Sequence, residues 1–229
     1  MEASCADAFE FIALTVQSGL ASYEDGIIGL WSGYSWWDDP SLYVPWLHKS
    51  GAITDNIFSF FMTGISGTSY IDFGTPDASI IGDGSDIFWM DKEEDSPWWA
   101  NYVYGMKWGG GMGDEYETSF SATSAITDTG SSCLIGPSQY VDLIYNSILL
   151  KTSVYIEDDG WGHIFWCSDM PNLPSFYLNF GGYWFEVKPE DYMIEVSDDV
   201  CAMCISAVDG YEEWILGDTF MRGWYNIHD

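Results

Sequence analysis

Basic residues are nearly missing from this sequence: six Lys and Arg stand against 36 Asp and Glu, a formal net charge of -30 over 229 residues. A surface that negative repels phosphate backbones, so nucleic acid is not an expected partner. Histidine is scarce as well, and His48, His163 and His228 have no ligand spacing. Cys201-Ala202-Met203-Cys204 lacks a second Cys pair, so neither a metal site nor a cofactor is expected. No run of about 20 apolar residues is present to span a membrane. The opening Met1-Glu2-Ala3-Ser4-Cys5 lacks the basic start and apolar stretch of a signal peptide. Asn-x-Ser/Thr sequons are absent too. Either the protein is cytosolic, or its true amino terminus lies upstream of Met1.

What is present is a globular composition. Hydrophobic residues make up 47% of the chain and aromatics 18%, with 13 Trp, which excludes disorder despite the charge. The length suits one large domain or two small ones sharing a core. The acidity fits either a solvated surface or a protein that works at low pH, where protonated carboxylates stop repelling. Five Cys is an odd number; Cys167 with Cys201 or Cys204 can close one disulfide loop, which would imply an oxidising compartment.

Short apolar runs punctuated by Gly, Pro, Asp and Ser give the rhythm of an all-β protein. They cover 9–16, 57–62, 69–73, 87–90, 100–106, 175–180 and 183–187. Gly181-Gly182 reads as the turn of a hairpin. Two helices are expected, a short one within 39–47 and a better one over 137–149, which opens on Pro137. The acidic stretches 91–95 and 157–160 read as solvated loops rather than calcium sites, because neither has EF-hand ligand spacing. Trp36-Trp37 and Trp98-Trp99 are the only pairs suited to stacking on sugars, and paired Trp more often fill cores.

The chemistry-bearing segment is Asp128-Thr129-Gly130-Ser131. An apolar strand ending at Thr127 delivers a carboxylate into a tight turn that needs a Gly, among hydroxyls able to hydrogen-bond it. Alone this is an ordinary turn. In its setting, from Ala125 to Pro137, it resembles the second active-site segment of the pepsin-like aspartic peptidases. Further matches follow in that family's order: Asp25–Leu30, Phe58–Met62 with Gly67–Gly74, Leu173–Gly182 with Pro189–Tyr192, and Trp214–Arg222.

The resemblance implies an all-β, bilobal pepsin-like fold, incomplete at the amino terminus and slightly at the carboxy terminus. Residues 1–77 would be the end of the amino-terminal lobe and 78–229 the carboxy-terminal lobe carrying the turn. It implies an aspartic endopeptidase in which Asp128 is one of two catalytic carboxylates and Thr129, Gly130 and Ser131 hold its geometry. Ile126, Ser132 and Ile215 would line substrate subsites, with core packing the plainer role for both isoleucines. A disulfide from Cys167 to Cys201 or Cys204 falls where the family closes a loop. Two carboxylates about 3 Å apart cannot both ionise cheaply, so they share a proton, and the ionised one activates a water. The partner would be a protein or peptide substrate. The complete protein would be a monomer, secreted or held in an acidic lysosomal or vacuolar compartment.

Departures are equally specific. The sequence holds one Asp-Thr/Ser-Gly turn, so these residues alone are expected to be inactive; a missing first Asp would instead make a peptide- or protein-binding relative. A retroviral-type dimer fits poorly, since residues 25–74 resemble part of a second lobe. Cys133 stands where the family has an aliphatic residue, and 109–114 replace a small disulfide loop.

Overall fold

The computed structural model describes residues 9, 11–13, 18, 25–33, 41–64, 67–81, 87–110, 114–151, 157–158 and 163–229. Helix α1 (Tyr43–Lys49) precedes strands β1 (Phe58–Phe61) and β2 (Tyr70–Phe73) and the one-turn helix α2 (Ala78–Ile81). The long strands β3 (Ala100–Gly110) and β4 (Asp114–Thr127) follow, then β5 (Leu134–Pro137) and α3 (Ser138–Lys151). Next come β6 (Glu157–Asp158), β7 (His163–Trp166) and a 3-10 turn over Cys167–Asn172. The chain continues through β8 (Phe176–Phe180), β9 (Tyr183–Val187), α4 (Pro189–Tyr192), β10 (Met193–Ser197) and β11 (Val200–Met203). It ends with β12 (Ile205–Val208), β13 (Trp214–Leu216), α5 (Asp218–Met221) and β14 (Asn226–His228).

The described strands form three sheets. The largest has the order β12-β5-β13-β4-β3-β8-β9, a second runs β10-β11-β7-β6, and a third runs β14-β1-β2. β3 and β4 are antiparallel from Ala100↔Ile126 to Gly110↔Asp114, with an irregularity between Val103 and Gly105. Alternation along β8 is strict: Phe176, Leu178 and Phe180 are buried, while Tyr177 and Asn179 lie between them. The hairpin to β9 turns on Gly181 and Gly182, whose φ of 57° and 91° suit a turn that glycine enters without steric penalty.

The core lies beneath the large sheet and is closed by α3. Val141, Ile144 and Ile148, spaced to share one helix face, are buried against it. Trp214 is fully buried with Tyr140 stacked on its ring at 6.2 Å. A Cβ on Gly136 would approach that ring to 2.4 Å, so the strand facing Trp214 must be glycine there.

Several local expectations are corrected. Residues 87–90 form no strand; an apolar run without a hydrogen-bonding neighbour remains irregular, and Trp89 is 59% exposed. The stretch 91–95 is not simply solvated. Glu93 accepts hydrogen bonds from Tyr102 Oη at 3.0 Å and Ser124 Oγ at 2.8 Å, while Lys92 Nζ donates to the carbonyls of Glu93 and Ser96. The backbone of 157–158 is a short strand on β7 rather than a loop. The short helix begins at Tyr43, and α3 starts at Ser138 because Pro137 closes β5. Phe9 and residues 11–13 are irregular. The rest of 9–16, the Trp36-Trp37 pair, Cys5 and residues 111–113 lie outside the described residues.

Candidate active site

The turn at Asp128 joins β4 to β5, yet these strands are not neighbours. β13 lies between them, parallel to β4 (Ile215↔Ile126) and antiparallel to β5 (Leu216↔Leu134). The connection must therefore cross the end of β13, about two strand spacings or roughly 9–10 Å. Asp128 N–H donates to Leu216 O at 3.1 Å as the chain leaves β4. Ser131 N–H then closes the turn onto Asp128 O at 3.2 Å. Beyond β13, Asp218 N–H donates to Ser131 O (2.9 Å) and Thr219 N–H to Ser132 O (3.1 Å). The buried Thr219 hydroxyl donates its one proton to Ser132 O at 3.0 Å, with Cys204 O 3.3 Å away. Gly217 sits directly under the crossing: a Cβ there would stand 2.2 Å from Ser131 O and 2.5 Å from Cys133 O.

This scaffold fixes the carboxylate. Asp128 is half-buried, and Gly130 N–H donates to its Oδ1 at 2.9 Å. Ser131 Oγ donates to Oδ2 at 2.7 Å. Both oxygens are thus oriented, and the exposed Thr129 and Gly130 leave one side of the turn open. Asp218 lies close enough to feel the charge of Asp128. Burial holds its carboxyl above the usual range, Arg222 opposes that, and the charge of Asp128 adds to it.

Of the other predicted positions, Ile126 and Ile215 are half-buried register partners across β4 and β13, and Ser132 is exposed on the turn. Cys167 bonds Cys201, tying the end of β7 to β11. Cys204 instead bonds Cys133, which follows the turn directly. The sequence reading left Cys133 unpaired. Its pairing depends on Leu134 N–H meeting Cys204 O at 3.0 Å, a contact between segments about 70 residues apart that carries no local signal.

Two further residues escaped the sequence reading. His228 packs behind the turn and reaches Thr127, and Asp218 couples to Asp128. Trp99 is unavailable for sugar stacking, since its ring packs on Phe58 and His228 and its Nε1 donates to Leu30 O at 2.6 Å. Residues 25–30, matched by resemblance to a segment of the amino-terminal lobe, are irregular, with Ile27 78% and Ile28 63% exposed.

The structure thus holds a strand-delivered Asp-Thr-Gly-Ser turn that crosses over an inserted strand in a mostly β molecule. A family model described as eukaryotic aspartyl protease matches residues 6–229, and the chain belongs to that family. Among its relatives, gastricsin from Homo sapiens is 28% identical over 212 residues, covering 90% of this chain and 52% of that protein. Vacuolar aspartic protease from Candida albicans is 31% identical over 163 residues, 69% of this chain and 35% of its own length. Cathepsin D from Mus musculus is 30% identical over 125 residues, 52% of this chain and 29% of its own. The chain spans about half the length of the gastricsins it matches.

Proposed function

We propose that the full-length protein is an aspartic endopeptidase in which Asp128 supplies one of two catalytic carboxylates. The carrying observation is the fixed carboxylate: one oxygen bound by Gly130 N–H and the other by Ser131 Oγ, at the open side of a turn braced from beneath. A second carboxylate would come from a segment these 229 residues do not contain. With one proton shared between the two, the ionised group takes a proton from a bound water as that water attacks the peptide carbonyl. The protonated group polarises the carbonyl oxygen and then protonates the leaving nitrogen. No covalent intermediate is required.

Ile126 and Ile215 would wall apolar subsites, with Ser132 at their edge, so cleavage is expected beside bulky apolar residues at acidic pH. Two disulfides suit an oxidising compartment, and together with the vacuolar relative they support secretion or residence in a lysosome or vacuole. Residues 1–77 and 78–229 would belong to different lobes of a protein acting as a monomer on peptide or protein substrates.

The test is Asp128→Asn in the full-length protein, assayed on a peptide with paired bulky apolar residues between pH 3 and 6. The amide cannot take up a proton from water, and activity should fall by a factor of a thousand or more, on the order of the loss of a catalytic group. Undiminished cleavage by this variant rules Asp128 out. Tight peptide binding without cleavage by the unaltered protein would mark a binding relative instead.

A further inference from the structure

His228 stands in β14 opposite Phe58 of β1 and is 8% exposed. Its ring lies flat on Phe58 at 4.6 Å with 3° between the planes. The rings of Trp99 (5.0 Å) and Phe60 (6.1 Å) meet it edgewise. Among the described residues one polar contact leaves this aromatic box, Nε2 to Thr127 Oγ1 at 3.2 Å. Thr127 immediately precedes Asp128.

Proton counting settles the direction of that bond. Thr127 Oγ1 also lies 3.1 Å from the carbonyl oxygen of Trp99, which can only accept. The single hydroxyl proton goes to Trp99 O, so the hydroxyl can only accept from the ring. His228 is therefore the neutral Nε2–H tautomer, with an unshared pair on Nδ1. Nδ1 is buried and has no hydrogen-bond partner among the described residues. A proton added there would put a charged donor in an apolar box with no acceptor among the described residues. The ring then reaches water only by swinging out of the box, which draws its Nε2–H off Thr127 Oγ1.

We propose that neutral His228 is a positioning residue for Asp128, holding Thr127 from behind the turn, and that protonating it on acidification releases this hold. The inference rests on the reading of Asp128 as catalytic. It ties the site to the three-stranded sheet: His228 grips Thr127, Thr127 N–H and Oγ1 both bond Trp99 O, and the next amide, of Asp128, bonds Leu216 O. Acid would then limit the site from outside the carboxylate pair.

The surroundings hold few competing charges. β1 presents Phe58, Phe60 and Ser59, the last bonded to the Tyr225 hydroxyl at 2.7 Å. Asp91, Lys92 and Asp229 border the same cavity as His228, and Asp128 follows Thr127. Burial pushes the imidazole down to about 4. In the folded protein the ring thus stays neutral and keeps its hold until the pH nears 4, while stability already declines from 6.5 downward because the unfolded chain takes up the proton first.

The experiment uses the full-length protein, its His228→Phe variant, which keeps a flat apolar ring without a proton to gain, and Thr127→Val, which removes the acceptor. The Asp128 amide and the His228 ring are followed by NMR from pH 7 to 3.5, beside kcat/KM over the same range. In the unaltered protein the Asp128 amide should shift with the His228 titration. That shift should vanish in both variants, although His228 still titrates in Thr127→Val. The acid limb of kcat/KM should move about one pH unit lower in His228→Phe, with kcat reduced several-fold near pH 6. An Asp128 amide indifferent to His228, or identical acid limbs, overturns the proposal. Coupling without any hydrolysis would sink the peptidase reading and leave the His228 link standing.

Discussion

Around Asp128, single atoms decide what the site tolerates. Gly217 needs its missing side chain because two backbone carbonyls occupy the space, and backbone cannot rotate aside as a side chain can. Gly217→Ala should cost about 3 kcal/mol, the upper range for overpacking, and should also weaken cleavage by lifting Ser131 off β13. Gly26→Ala, where a Cβ would meet nothing within 4 Å, should stay within about 0.5 kcal/mol. Urea midpoints of the two variants check the contrast. His228 acts at the same scale through solvation: a fall from 6.5 to about 4 corresponds to roughly 3 kcal/mol between the two protonation states. Neither residue's role is written in the sequence. Gly217 falls inside the matched segment Trp214–Arg222 with no role of its own attached, and His228 looks like a lone polar residue near Asp229, because what constrains both comes from distant segments.

Among the elements, the two disulfides do different work. By loop entropy alone each should contribute about 4 kcal/mol, since 71 and 34 residues of separation differ only logarithmically. Cys167–Cys201 staples β7 to β11 at the sheet that excludes the site. Cys133–Cys204 ends the crossing that carries Asp128. Replacing Cys133 and Cys204 together with Ala should speed hydrogen exchange at the amides of residues 130–134, while replacing Cys167 and Cys201 should lower the melting temperature with those amides still protected. Equal protection in both variants would contradict this assignment. Hairpins such as β8–β9 are legible beforehand because alternation and Gly181-Gly182 are local signals. The β5-β13-β4 order is not, since periodicity carries no record of which distant strand lies alongside. The Asp128 turn stood out through resemblance to a family segment, with its tripeptide alone indistinguishable from a common turn.

For the molecule as a whole, charge governs the dependence on solution conditions. With six basic residues, compensation is sparse: the Lys188–Glu190 pair is exposed at 3.7 Å and contributes little. Lys107 instead lies over the rings of Tyr177 and Trp184 at 4.5 and 5.1 Å. Self-repulsion at -30 is therefore relieved by salt or by protonation. Burial also raises the Asp191 and Asp218 carboxyls, so each adds stability as the pH falls through its folded value. Adding 0.5 M NaCl should raise the melting temperature by several degrees at pH 7.5 and by much less at pH 4. A salt effect of the same size at both values would show that screening is not the cause.

The strand inserted between β4 and β5 has a consequence in time. Asp128 cannot acquire its setting until Leu216, Gly217 and Asp218 arrive, roughly 90 residues later in synthesis. A nascent chain cut short before that point carries the carboxylate without the platform beneath it. Whatever this carboxylate does, it can do only once those later residues have left the ribosome and docked beneath it.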